Sequence, residues 1–422
     1  MKKNYFFRLF ALIIVFSANC AIAQTTYTKQ IIIVNGGDYG NPDDYVTVAT
    51  YNPGSGETTE FATIYTQSVQ DVVIHGSFAF VAAQDSIVKL NIDTYQKVAA
   101  VYATGVNQLA TNGEVLVASF WYPVTENFVK AFSIDDLSLI TEFGGISDEA
   151  SGIMIKEGIA LVAIPGAYGS TTGKIASIDL EQNVVLSEDD YGESFAGIGY
   201  FAFYNDITTA FMKTAWGESD SRSATMDLEG NVIEEFIYED AVLANRTGQA
   251  HNNFYAEINN GIGLFNLETN DLVNPSVVAP QQMTIGASVI DTINNLIYLS
   301  TTDFYSMGQG FIYNLDGENT GSFEAGISAQ AIAVDYRNNT GINKNRIVEK
   351  LNVFPNPASS LISFNISNDK EVLNTVISDI SGKVVYRSTV YNQIDVSTLK
   401  TGIYFVTINT ETSLFTGRFL KN

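Results

Sequence analysis

A short strand that ends at a turn residue recurs along the chain at intervals of roughly 40 to 50 residues. The markers are Thr50-Tyr51-Asn52-Pro53, Leu90-Asn91-Ile92-Asp93, Phe132-Ser133-Ile134-Asp135, Ala176-Ser177-Ile178-Asp179, Thr225-Met226-Asp227-Leu228, Phe265-Asn266-Leu267-Glu268 and Tyr313-Asn314-Leu315-Asp316. A period of this length means a stacked or circular array of one supersecondary unit. The second repeat shows the unit. Asp71 to His75, Phe78 to Ala82, Ile87 to Ile92 and Val98 to Tyr102 are β-branched or aromatic runs bounded by turn residues, and they read as strands A to D. Runs such as Ile159 to Ile164 are apolar throughout, as inner strands covered on both faces require.

The ends of the array fix its topology. The first repeat offers strands B (Gln30 to Val34), C (Val46 to Tyr51) and D (Thr58 to Phe61), but no strand A. After the seventh repeat, Gln330 to Asp335 is a strand without a sheet. Placed in the vacancy, it closes a ring and removes the exposed edges. The expected fold is therefore all-β: a seven-bladed β-propeller over residues 24–339. An eight-bladed ring and a pair of sandwiches are the alternatives. Residues 340–346 are polar and turn-rich and read as a linker; residues 347–422 follow as a small β-sandwich.

The first 23 residues read as a signal peptide. Lys2, Lys3 and Arg8 precede a short apolar run, and Ala21-Ile22-Ala23 places cleavage between Ala23 and Gln24. The only cysteine, Cys20, lies inside this segment, so a lipid anchor is the competing reading, together with a membrane anchor. No later run approaches the 18 apolar residues of a spanning helix. A chain without Cys after residue 23 has no disulfides, zinc–thiolate sites or Cys nucleophile. Residues 24–342 carry 10 Lys/Arg and 40 Asp/Glu, a balance that excludes nucleic acid as a partner.

Beyond the linker, Val353-Phe354-Pro355-Asn356-Pro357-Ala358 opens the module. Asp379-Ile380-Ser381-Gly382-Lys383-Val384-Val385, Leu399-Lys400-Thr401-Gly402-Ile403-Tyr404-Phe405-Val406 and the terminal Phe419-Leu420-Lys421 follow in order. This stretch resembles the type A sorting domain of the Bacteroidetes type IX secretion system. The resemblance implies export by the Sec route, then transfer across the outer membrane by the type IX machinery, leaving the cargo on the cell surface or released. Pro355, Asn356, Pro357, Gly382, Lys383, Gly402 and Tyr404 carry the motif, so function is sought in the ring.

Ligands of propellers sit at the end that bears the B–C and D–A loops. The expected B–C loops carry Tyr39, Trp121, Tyr122, Tyr168, Trp216 and Tyr305. Flat rings with a polar tip suit sugars, corrins or peptide side chains; packing over their own blade edges is the alternative. Arg222 is placed on the same loops, with Glu126, Glu218, Asp220 and Asp303. Asp38, Asp43 and Asp44 offer carboxylates of the kind that hold Ca²⁺, but the EF-hand pattern is absent and a solvated loop competes. Glu188-Asp189-Asp190 reads as a charged turn. No cofactor is expected. His75 and His251 fall on different blades, and no nucleophile elbow, phosphate loop or zinc-protease motif appears.

Ile31 to Gly40, with Tyr51-Asn52-Pro53-Gly54-Ser55-Gly56-Glu57, Val72 to Val81 and Ile92-Asp93-Thr94-Tyr95, looks like the opening of surface-exposed Bacteroidetes propellers of the YVTN-repeat, quinoprotein-like group. The best-known members capture vitamin B12 and pass it to an outer-membrane transporter. They are lipid-anchored, whereas this chain carries a sorting domain. The resulting expectation is a non-catalytic surface protein that binds a small molecule, a glycan or a surface protein. An extracellular hydrolase or lyase acting on polysaccharide or peptide, and an adhesin, are the competing classes.

Overall fold

In the computed structural model, which describes residues 25–215, 217–339, 347–364, 372–380, 382–388, 393–410 and 413–422, the recurrent marker is a side-chain-capped hairpin turn. Asn91 Oδ1 accepts from the amides of Asp93 and Thr94, both at 2.9 Å. Asn52, Asp179, Asp227, Asn266 and Asn314 cap their own turns in the same way, and the Ser133 hydroxyl accepts from Asp135 N–H. A short polar side chain that bonds the backbone two residues on stops the strand at a fixed point and reverses it.

Seven four-stranded antiparallel sheets are built on these turns. The first contains β1 (Thr25–Asn35), β2 (Val46–Asn52) and β3 (Glu57–Ile64). The second is β4 (Asp71–His75), β5 (Phe78–Ala83), β6 (Ser86–Asn91) and β7 (Gln96–Tyr102). The third is β8 (Val106–Thr111), β9 (Val115–Phe120), β10 (Val129–Ser133) and β11 (Leu139–Glu142). The fourth is β12 (Ile153–Lys156), β13 (Ile159–Ile164), β14 (Lys174–Asp179) and β15 (Val184–Asp190). A 3-10 turn, Glu193–Phe195, leads into β16 (Ile198–Tyr204), β17 (Ile207–Met212), β18 (Ser221–Met226) and β19 (Val232–Tyr238). The sixth sheet is β20 (Leu243–Ala250), β21 (Asn253–Ile258), β22 (Gly261–Asn266) and β23 (Asp271–Val278). The seventh is β24 (Thr284–Asp291), β25 (Leu296–Thr302), β26 (Met307–Asn314) and β27 (Asn319–Ile327).

The last strand of the ring, β28 (Ala329–Asn339), pairs with β1 in the order β28-β1-β2-β3. It fills the place that the first repeat leaves empty. First strands of successive sheets lie against one another, β4 on β8, β8 on β12, β12 on β16, β16 on β20 and β20 on β24, and so form the wall of the central channel.

Packing shows that the ring is closed. Seven apolar clusters each join one sheet to the next. The seventh joins Tyr298, Ile312 and Phe323 of the last sheet to Ile31, Ile33, Ile332 and Val334 of the first. Each sheet thus buries both faces, which explains its unbroken apolar strands. The chain is a seven-bladed β-propeller followed by a second unit. The outer strand pair of every blade carries a register irregularity, which adds twist.

One expectation fails here. Glu188, Asp189 and Asp190 are not a turn but the end of β15, paired with Ala176, Ile175 and Lys174. An outermost strand is solvated along one side, so it accepts a run of charge. Glu188 accepts hydrogen bonds from Ser147 and Lys174.

The chain forms two compact units, one of Thr26–Arg337 and one that contains Asn338–Asn422. In the latter, β29 (Ile347–Lys350), β32 (Val372–Asp379), β33 (Val384–Ser388), β35 (Gly402–Thr410) and β36 (Ser413–Lys421) form one sheet. The other sheet is β30 (Val353–Phe354), β31 (Leu361–Phe364) and β34 (Gln393–Asp395). Leu351, Ile362, Phe364, Ile377, Val406 and Phe419 fill the space between them. Among the described residues, no helix is long and apolar enough to cross a membrane. Ala23, Gln24 and residues 340–346 lie outside the described residues.

Candidate functional site at the loop end of the ring

The β1–β2, β9–β10, β13–β14 and β25–β26 loops and the connections between blades emerge at one end of the ring. Trp121 begins the β9–β10 loop, where its N–H donates to the carbonyl of Gly105 in the preceding blade connection, at 2.9 Å. Gly105 has φ +73°, and a Cβ there would stand 2.5 Å from the Trp121 carbonyl oxygen, so only glycine permits this join. Tyr122 and Tyr168 are 79% and 100% exposed.

An acid pair that the sequence does not single out buttresses both tyrosine loops. The Glu149 carboxylate accepts from the Tyr122 amide; burial pushes its pKa up, that bond lowers it, and Asp148 beside it raises it. Asp148 Oδ1 accepts from Ala167 N–H at 3.1 Å, one residue before Tyr168. Neighbouring third and fourth blades thus present Trp121, Tyr122 and Tyr168 on braced loops.

A second aromatic group joins the first and seventh blades. Tyr39 stacks on Phe304, ring centroids 5.5 Å apart, and its hydroxyl donates to Gln330 of β28 at 2.8 Å. Tyr305 lies beside it, 61% exposed, on a turn capped by Asp303. Hydrogen bonds from Ser306 and from the Tyr305 and Ser306 amides hold Asp303 down at about 2. Tyr39 therefore packs against the neighbouring seventh blade while 43% exposed, and Tyr305 stays open.

The remaining candidates divide. Trp216 lies outside the described residues. Arg222 is not on a loop: it stands in β18, the third strand of the fifth blade, paired with Met212 of β17 and Ile237 of β19 and exposed between the buried Ser221 and Ser223. There it lines a cleft of about 280 Å³ with Ser194, Glu235 and Phe236. Two of the acids considered for Ca²⁺ accept from backbone amides of their own loop. Asp44 Oδ2 accepts from Asp38 N–H and Asp38 Oδ1 from Gly40 N–H, while Asp43 N–H donates to Asn41 Oδ1. Among the described residues, no three His, Cys, Asp or Glu side chains converge as a metal site. His75 and His251 lie at the opposite end of the ring, at the β4–β5 and β20–β21 turns.

Within the mouth of the channel is a polar cluster that no motif announces. Lys213, just after β17, lays its stem across Gly199 of β16, where a Cβ would meet Lys213 Cγ at 2.8 Å. Its ammonium donates to Asn245 Oδ1 of β20 at 2.9 Å. Asn245 Nδ2 in turn donates to Glu257 Oε2 at 3.3 Å. Burial pushes the Glu257 pKa up and the Lys213 pKa down, each opposed by the other's charge. Arg246 is next in β20, between two register irregularities. On the other side of the ring Asp71, at the head of β4, accepts from Val72 and Leu109 N–H, both at 2.8 Å. Burial pushes Asp71 up to about 6, against those two bonds and the charge of Arg246.

The sorting motif is equally concrete. Asn356 clamps the terminal strand: Leu420 N–H donates to its Oδ1 at 2.9 Å, and its Nδ2 donates to the Arg418 carbonyl at 3.2 Å, with Pro355 and Pro357 on either side. Gly382 and Lys383 close the β32–β33 hairpin on Asp379, through Gly382 N–H to its carbonyl and Lys383 N–H to its carboxylate. Tyr404, which follows Gly402 in β35, stacks on Phe419 and donates to the Lys400 carbonyl at 2.8 Å.

Residues 352–422 match the family described as secretion system C-terminal sorting domain. No curated protein matches the sequence at a significant level. Among solved structures, a candidate 6-phosphogluconolactonase from Bacteroides uniformis ATCC 8492 is similar over 73% of this chain and 100% of its own, with 11% identity and a TM-score of 0.56. One from Bacteroides fragilis NCTC 9343 is similar over 73% and 98%, again with 11% identity, at a TM-score of 0.55. These likenesses concern the fold. Together, tail and ring define a β-propeller protein destined for the cell surface or exterior through type IX secretion.

Proposed function

We propose that this exported propeller is a binding protein that captures its ligand at the loop end of the ring, across Trp121, Tyr122, Tyr168 and Trp216, with Tyr305 on the far rim. The carrying observation is the exposure of Tyr122 and Tyr168 on adjacent blades whose loops share one acid brace. Rings held in place before contact lose little entropy on binding. The test is a thermal-shift screen of the purified protein against cobalamins, haem, glycans and Ca²⁺. A ligand at 100 times its dissociation constant adds about 2.7 kcal/mol to stability. Tyr122→Ala and Tyr168→Ala should abolish the shift; a shift unchanged in both would refute the rim.

A hydrolase is the second reading, supported by Asp71, whose carboxyl titrates at about 6, within the range of a general acid or base. The structurally similar proteins are described as candidate 6-phosphogluconolactonases. Turnover of that lactone by the wild type, lost in Asp71→Asn, would establish it.

A further inference from the structure

The propeller is strongly acidic, and most of its cations are spoken for. Lys29, Lys130, Lys156, Lys174 and Arg337 pair with carboxylates, and Lys89 caps the carbonyls of Ile134 and Asp135. Lys97, Lys213, Arg222 and Arg246 form no such ion pair within 4 Å among the described residues, and of these Lys213 and Arg246 stand at the inner strands of the ring. Both are held over inner strands of adjacent blades, Lys213 by its stem on Gly199 and Arg246 by the irregular register of β20. Irregularities of this kind re-aim side chains beside functional sites.

A second, independent observation lies against them. Among the described residues the hydroxyl of Tyr200 in β16 is buried without a hydrogen-bond partner, and the residue is only 4% exposed. It lies within electrostatic reach of Glu257 and Arg246. A buried hydroxyl left unpaired costs roughly 1 to 3 kcal/mol, so an orphan beside a polar cluster marks a place where a polar ligand completes the bonding.

We propose that Lys213, Asn245, Arg246, Glu257 and Tyr200 form a binding site for a small hydroxylated carboxylate of the sugar-acid class, at the mouth of the channel between the fifth and sixth blades. This rests on the reading that the loop end takes the ligand, and it names the class. The ligand's carboxylate engages the free guanidinium and the ammonium, as charge-assisted pairs demand. Its hydroxyls bond Asn245, the Glu257 carboxyl and the Tyr200 hydroxyl. A dianionic phosphate fits less well, because the Glu257 carboxylate stands within the site and repels a second charge.

The test is calorimetric titration of the purified full chain with D-glucuronate, D-galacturonate and D-gluconate, with D-glucose and propionate as controls. At least one sugar acid should bind, both controls should bind far more weakly, and Arg246→Ala should weaken the sugar acid about tenfold or more. Among the described residues the Arg246 side chain forms no ion pair within 4 Å, and its charge eases the buried Asp71 only from a distance, so this variant should stay folded and lose at most a few degrees of melting temperature at neutral pH. Tyr200→Phe should weaken the sugar acid while leaving or raising the melting temperature of the free protein, an outcome that a merely structural tyrosine does not produce. Binding that survives Tyr122→Ala and Tyr168→Ala but fails in Arg246→Ala upholds this site and removes the aromatic rim. Absence of binding by all three acids, or equal binding by Arg246→Ala, overturns the site and leaves the rim to its own screen.

Discussion

The side-chain amide of Gln30 donates to the carboxylate of Asp335 at 2.9 Å, across 305 residues of chain. Asp335 is fully buried and also pairs with Arg337, which reaches on to Ser77 and Asp93 in the second blade. The first strand, the closing strand and two turns of the second blade therefore share one polar latch. Removing one partner of a buried ion pair costs about 3 to 5 kcal/mol, because the other charge stays desolvated. Arg337→Ala, which leaves the fully buried Asp335 carboxylate without its cation, should lower the unfolding free energy of the propeller by up to that amount, read as a lower urea midpoint, and Asp335→Ala by less, since the Arg337 left behind is partly exposed and keeps Asp93. An Arg337→Ala midpoint within error of the wild type would show that closure rests on the apolar cluster alone.

Gly173 is the second point of low tolerance. It lies at the end of the β13–β14 loop that carries Tyr168, and a Cβ there would stand 1.8 Å from the Phe195 carbonyl oxygen. Nothing flexible can give way, since the contact is backbone. Gly173→Ala should cost at least about 2 kcal/mol and lower the melting temperature by several degrees. Gly144→Ala, with nothing within 4 Å, should change little.

These contrasts show where sequence is informative. The repeat was legible because its marker residues act locally, each capping the turn that follows it. Closure was legible because a strand without a partner is visible in one dimension. Glu188 to Asp190 misled because an outermost strand is wet along one side, so its charge mimics that of a loop, and Arg222 because it is one exposed side chain between two buried serines, a polar run that reads as a loop. The channel cluster was illegible, because Lys213 and Glu257 are ordinary residues 44 positions apart until β17, β20 and β21 bring them together. Asp148 and Glu149 were hidden among the other acids of the ring.

Asp71 gives the stability a sign that can be measured. Its folded pKa of about 6 lies above the ordinary value of 3.8. The groups that face it are the Val72 and Leu109 amides and the Arg246 guanidinium. A raised carboxyl binds its proton more tightly in the folded state, so it weakens the fold above pH 6 and the penalty fades as the pH falls toward 4. The penalty at pH 7 is of order 3 kcal/mol. Relative to Asp71→Asn, the wild type should therefore gain melting temperature between pH 7.5 and pH 5. A difference that is flat across this range would mean that the carboxyl titrates normally.

Tyr122 and Tyr168 separate stability from binding. Both rings face solvent, so truncation forfeits little buried area, and exposed positions without special contacts usually tolerate substitution within about 0.5 kcal/mol. Tyr122→Ala and Tyr168→Ala should melt with the wild type. A ring that anchors a ligand commonly contributes about 2 kcal/mol or more, so the same variants should bind the screened ligand at least about tenfold more weakly. Loss of stability in either variant would instead mean that the ring packs over its own blade. The Glu149→Gln variant discriminates further: it keeps an acceptor for the Tyr122 amide but loses the charge, so a loop held by hydrogen bonding alone should present Tyr122 unchanged and bind as the wild type does.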